Sequence, residues 1–196
     1  PSTPKYAWTI LAIVFFLSIV LPMQWFSCPP LSANIFETYG LEGAARADFG
    51  LLMSYVAITA LIAAVVAGPL ANRLGHKIVL IVAGICLIAG CAIAALSGAN
   101  FGILLAGRII TGIGVGLCAV SASSVIAMWF PGKTRATAMA IWSTWVPVGM
   151  LIVFNGAPIV VNAFGIHVLW WIICALAIIA TLLVAVFFRA PREDEA

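Results

Sequence analysis

The segment Ile78–Gly107 reads IVLIVAGICLIAGCAIAALSGANFGILLAG and lies free of charge between Lys77 and Arg108. A membrane-spanning helix needs roughly 20 apolar residues at about 1.5 Å rise per residue. Near the middle, Ser97-Gly98-Ala99-Asn100 supplies turn chemistry. The segment therefore predicts two antiparallel spans joined by a tight bend. The same pattern continues outward: no charge occurs between Lys5 and Glu37, Asp48 and Arg73, Arg108 and Lys133, or Arg135 and Arg189. Asn162-Ala163-Phe164-Gly165 divides the last of these stretches. Six spans follow, at about 7–27, 50–70, 78–97, 101–129, 138–161 and 167–188. The fold class is an all-α membrane protein with six transmembrane helices.

Composition gives the same answer. Of 196 residues, 65% are hydrophobic and 8% charged, against about 45–50% and about 25% in soluble domains. A chain so poor in charge cannot cover its own surface in water, which excludes a soluble enzyme. Disorder is excluded for the opposite reason, since it needs low hydrophobicity. The net charge of +3 comes without the aromatic-interleaved basic patch of a single-strand binder, so no nucleic-acid partner is expected.

Basic residues set the orientation. Lys5, Arg73, His76, Lys77, Lys133, Arg135, Arg189 and Arg192 fall on one side of the six-span arrangement, and Arg46 stands on the other with Glu37, Glu42 and Asp48. The positive side is cytoplasmic. Residues 1–6 are then a cytoplasmic start, 7–188 the bundle, and 189–196 a cytoplasmic tail or the beginning of a central linker. The outer loop 28–49 is long enough for a short surface helix, while Ala71–Lys77 and Phe130–Thr137 read as tight turns that force their flanking spans side by side. The first apolar run is longer than the core of a secretion signal, and Ser27-Cys28-Pro29-Pro30 offers no A-x-A cleavage site, so it is read as the first span. Cys86, Cys91, Cys118 and Cys174 lie within spans and, with Cys28, form no C-x-x-C pair. They read as small buried hydrophobes, with no metal or cofactor expected.

The turn after the second span reads Gly68-Pro69-Leu70-Ala71-Asn72-Arg73-Leu74-Gly75-His76-Lys77. It resembles the G-x-L-x-D-R-x-G-x-K loop signature of the major facilitator superfamily, at the place in the topology where that family carries it. Gly68 allows close helix approach, Gly75 a tight turn, and Arg73 and Lys77 hold the loop inside. On the fourth span, Arg108-Ile109-Ile110-Thr111-Gly112-Ile113-Gly114-Val115-Gly116 is similar to the family's R-x-x-x-G-x-G-x-G pattern. Trp129-Phe130-Pro131 and Arg135-Ala136-Thr137-Ala138 also resemble its turn into the fifth span. The resemblance implies secondary transport by alternating access, with Gly68, Asn72, Arg73, Gly75, His76 and Lys77 as a gating loop. It also implies a twelve-span transporter of which this chain is the amino-terminal half, since members pair two six-span halves. The partners implied are the lipid bilayer, a small-molecule substrate and a carboxy-terminal six-helix half. A second copy of this unit would serve in place of that half, and a structural or channel protein is the remaining alternative. The expected location is the inner, plasma membrane of a bacterium with both termini cytoplasmic. Asn72 stands where the signature has Asp, which keeps hydrogen bonding and removes a charge from the gate.

Arg108 is the strongest substrate-binding candidate. Seven residues beyond Phe101, it lies roughly 10 Å below the outer boundary, where an unpaired charge costs several kcal/mol. No carboxylate falls within the six spans, so its partner is an anionic substrate, a residue of the other half, or backbone carbonyls. The long first outer loop, the absence of a buried acid and the lone arginine together resemble the branches of the family that move small organic or inorganic anions, so the resemblance implies an anionic substrate, and a coupled proton would have to be carried elsewhere. Gln24 and Trp25, Tyr55 and Thr59 at i,i+4, Thr111, Trp145 and Asn155 are further cavity-lining candidates. Trp8, Trp129 and Trp170 sit near span boundaries and read as an aromatic belt. Gly112, Gly114 and Gly116 read as close-packing positions, and Pro147 as a kink in the fifth span. His76 and His167 lie at opposite ends of the spans, so no catalytic pair assembles within the bilayer.

Overall fold

A computed structural model describes residues 5–189. Residues 1–4 and 190–196, which hold most of the expected amino-terminal stretch and of the tail with Arg192, lie outside the described residues. The helices are α1 (Lys5–Trp25), α2 (Ser32–Tyr39), α3 (Leu51–Leu74), α4 (His76–Ala95), α5 (Phe101–Trp129), α6 (Lys133–Ser143), α7 (Trp145–Phe164) and α8 (Ile166–Phe187), with no strand among the described residues. Among them, six helical segments are long and apolar enough to cross a membrane: α1, α3, α4, α5, α6 with α7, and α8. The chain is an all-helical, multi-pass integral membrane protein.

The connections are shorter than the sequence signals imply. One residue, Gly75 (φ 86°, ψ 149°), separates α3 from α4, and Gly165 (φ 87°, ψ 165°) separates α7 from α8. This combination of positive φ and extended ψ is open to glycine alone. The outer loop does hold a surface helix, α2, whose Tyr39 hydroxyl bonds Ser97 Oγ at 2.6 Å and so ties the loop to the α4–α5 bend. The fifth apolar segment starts as helix at Lys133 and breaks at Thr144, three residues before Pro147. Proline has no N–H for the Ser143 carbonyl, and the turn tightens there: Thr144 N and Oγ1 both bond the Ile141 carbonyl, at 3.2 and 2.7 Å.

Small residues decide how the helices assemble. In α5, a Cβ on Gly112 would lie 1.8 Å from Thr59 Oγ1, and one on Gly116 would lie 2.2 Å from the Ala60 carbonyl, both in α3. On its other side, Gly107 and Gly114 come close to α4, with hypothetical Cβ atoms 2.9 Å from the Gly90 carbonyl and 2.8 Å from the Ala83 carbonyl. Glycines on two faces thus let α5 sit between α3 and α4 at backbone contact, where dispersion rather than hydrophobic burial holds helices together. α4 in turn packs on α8, and α1 packs on α7, α8 and α5. Gly68 behaves differently from expectation, because nothing lies within 4 Å of a Cβ built there. It precedes Pro69 inside α3, where helical backbone is less hindered for a residue without a Cβ. α3 and the α6–α7 segment are the least buried spans, and Leu61, Val65, Leu151 and Ile159 on them are exposed.

The aromatic belt is also corrected. Trp129 and Trp170 are buried in the bundle, whereas Trp8 is 44% exposed. A tryptophan near a helix end suits either the lipid interface or the bundle interior; the rotation of α5 and α8 turns these two inward.

Candidate functional site

Arg108 lies two turns into α5 and is 2% exposed. It follows Gly107, whose lack of a side chain admits α4. Its guanidinium extends to the far end of α1, where Nη1 donates to the Gln24 carbonyl. Nη2 meets Ser27 Oγ at 3.3 Å and Cys28 Sγ at 2.8 Å. The Trp170 ring of α8 covers one face, with Cζ 4.6 Å from the ring centroid. Every one of these partners is neutral, and a thiol is a weak acceptor. Arg108 Nε and Trp170 Nε1 are both buried without a hydrogen-bond partner. Among the described residues the guanidinium therefore meets dipoles and an aromatic face, and no carboxylate.

Two other expected residues join it. Gln24 is buried, and its Nε2 donates to the Leu87 carbonyl at 3.2 Å while its Oε1 accepts from Thr111 Oγ1 at 3.2 Å. Gln24, Arg108, Thr111 and Trp170 border a small gap with Gly90, Cys91 and Ala94, packed so tightly that no water molecule fits. Ser27, Cys28 and Trp170 were not read from the sequence as partners of Arg108. No local pattern marks them, since the first two stand 81 and 80 positions away.

The remaining candidates lie elsewhere. Thr59 Oγ1 bonds the Tyr55 carbonyl at 2.6 Å and abuts Gly112. It borders an apolar groove of about 390 Å³ between α3 and α5 with Ile62, Ala63, Val66 and Ile113. Trp145 packs against Trp142 at 5.8 Å between centroids, and Trp142 Nε1 donates to Ser18 Oγ at 3.0 Å. Trp25 stacks on Phe26. Asn155 is exposed on α7, bonds the Leu151 carbonyl at 2.8 Å, and lines an open cleft of about 400 Å³ with Pro147, Met150, Leu151 and Phe154. In the last turn of α3, Asn72 and Arg73 are exposed, and His76 and Lys77 are half-buried at the start of α4. No cluster of three or more His, Cys, Asp or Glu able to hold a metal occurs among the described residues.

Residues 14–196 match the family profile described as Major Facilitator Superfamily. The chain is 34% identical over 146 residues to the inner membrane transport protein YajR of Escherichia coli, an alignment covering 73% of this chain and 31% of that protein. It is 26% identical over 184 residues to the 4-hydroxybenzoate transporter PcaK of Acinetobacter baylyi, covering 94% and 39%. Among solved structures, a D-xylose-proton symporter superposes with a TM-score of 0.84 at 17% identity, covering 96% of this chain and 50% of the symporter. The chain thus spans half or less of the length of the proteins it matches.

Proposed function

The chain belongs to the major facilitator superfamily, and we propose that it forms the amino-terminal six-helix half of a secondary-active transporter that moves a small anion by alternating access. Membrane transport of small solutes follows from the family. The anionic substrate rests on one observation: among the described residues, the partners of the buried Arg108 guanidinium are all neutral. A desolvated cation with an unused N–H donor favours a carboxylate or similar anion over a neutral solute. The aromatic carboxylate in the name of the Acinetobacter relative lends that class support.

In this reading Gln24, Arg108 and Thr111 are the polar floor of the substrate path, and Tyr55, Thr59, Trp145 and Asn155 belong to its walls. The exposed apolar faces of α3 and α7 are where a second six-helix body would seat, supplied by the same polypeptide or by another copy. Tight packing around Arg108 represents a closed state, and rocking of the two bodies would open the path to it. Gly68, Asn72, Arg73, Gly75, His76 and Lys77 form the gate on the cytoplasmic side, weakened by Asn72 where the family has a charge. Both ends of the bundle's chain then face the cytoplasm, and the setting is a bacterial inner membrane. All six acidic residues lie in 37–48 or 193–195, so a coupled proton would be carried by the substrate or by the second body.

The test is uptake of labelled 4-hydroxybenzoate and of its neutral amide by cells making the full-length polypeptide. The proposal expects uptake of the carboxylate alone, and loss of most of it in Arg108→Lys with membrane insertion kept, because lysine cannot reproduce the planar fork. Full uptake by Arg108→Lys would remove Arg108 from the site. Equal uptake of the amide would remove the anion.

A further inference from the structure

A second arginine repeats the Arg108 arrangement at the other end of the bundle. Arg189, just past α8, places Cζ 4.5 Å from the Tyr6 ring centroid and 5.4 Å from that of Trp129. Tyr6 and Trp129 are themselves in contact at 5.7 Å, and the Tyr6 hydroxyl donates to the Phe187 carbonyl. The start of α1, the end of α5 and the end of α8 therefore meet at this point. At the opposite end, Arg108 of α5, Trp170 of α8 and the Gln24 carbonyl of α1 join the same three helices. The roles are exchanged between the ends. α5 supplies the arginine at one and the tryptophan at the other, while the tryptophan of α8 and the arginine that follows it do the reverse. Arg108 and Trp129 stand about 30 Å apart along α5 at 1.5 Å per residue, close to the thickness of a bilayer core.

We propose that these two reciprocal arginine–tryptophan staples, one toward each end of the bundle, fasten α1, α5 and α8 into a single unit. Each staple holds the ends of helices against fraying, which in a membrane occurs first where water reaches the backbone. The attraction is that of a cation for the negative face of an indole ring, so it weakens when fluorine withdraws electron density from the ring with little change of shape.

The experiment places fluorinated tryptophans at position 170 or 129 alone in the full-length protein, reconstituted in lipid nanodiscs, and follows amide hydrogen exchange. Increasing fluorination at 170 is expected to speed exchange at Trp25–Cys28 stepwise, up to about thirtyfold, and to leave Tyr6–Ile10 unchanged. Fluorination at 129 is expected to do the opposite. With both labelled, exchange rises in the middle of α1, Val14–Val20, which neither label alone produces. End amides that ignore the fluorine series would show that the rings act by packing alone and overturn the staples. A middle of α1 that stays protected in the doubly labelled protein would overturn the single unit.

Discussion

Replacing Gly116 with alanine tests whether backbone contact, rather than general apolarity, holds α3 on α5. The new methyl would sit 2.2 Å from the Ala60 carbonyl, 2.8 Å from Ala63 Cβ and 2.9 Å from Ala64 N. An ordinary carbon–oxygen contact is about 3.3–3.6 Å, so α3 must retreat by about 1 Å. The nearest obstacle is a backbone carbonyl, which no change of rotamer can relieve. Overpacking of this kind costs about 1–3 kcal/mol, and the backbone clash puts this site at the upper end. Alanine's better helix propensity offsets about 1 kcal/mol, leaving a net loss of about 2 kcal/mol. Gly156→Ala in α7 is the matched control. Nothing lies within 4 Å of a Cβ there, so only the propensity gain of about 1 kcal/mol acts. The two variants should differ by about 3 kcal/mol, with the thermal midpoint of Gly116→Ala below that of Gly156→Ala. Thermal unfolding of the purified full-length protein in one detergent reads this directly. A Gly116→Ala protein as stable as Gly156→Ala would refute the assignment of Gly116 to the α3–α5 contact.

Two further outcomes follow from single sites. Gly75→Ala places a Cβ at φ 86°, ψ 149° and should lose about 1–3 kcal/mol in the same unfolding measurement, although the space around it is open; an unchanged midpoint would show that the α3–α4 turn relaxes to another conformation. Thr111→Val removes the donor to the buried Gln24 Oε1 and should destabilise by about 1–3 kcal/mol, with Gln24→Leu in the same background recovering part of the loss; additive losses from the two changes would mean that the pair is not coupled.

Much of the architecture is legible in the chain because its determinants are local. Charge-free stretches of bilayer length, bounded by Arg73, Lys77, Arg108 and Lys133, report helices that any part of the sequence specifies for itself. The glycines at 112, 114 and 116 announce close packing, and Pro147 announces a break in the fifth span. Gly75 marks the turn into α4. Gln24, Arg108 and Thr111 could be chosen as polar residues that a membrane helix does not carry without reason.

What the sequence leaves open is rotation and pairing. Gly112 and Gly116 meet α3 while Gly107 and Gly114 meet α4, a division that depends on which neighbours lie on each side of α5. Trp129 and Trp170 have the same local signature as a belt tryptophan, and only the assembled bundle turns them away from lipid and under the two arginines. The hydrogen-bond partners of Arg108 come from 80 to 84 positions away. The chain alone determined that a positive charge would be buried and that six helices would cross. Tertiary packing decided what surrounds that charge, because hydropathy fixes a helix's depth in the bilayer, whereas helix contacts fix its rotation and its neighbours.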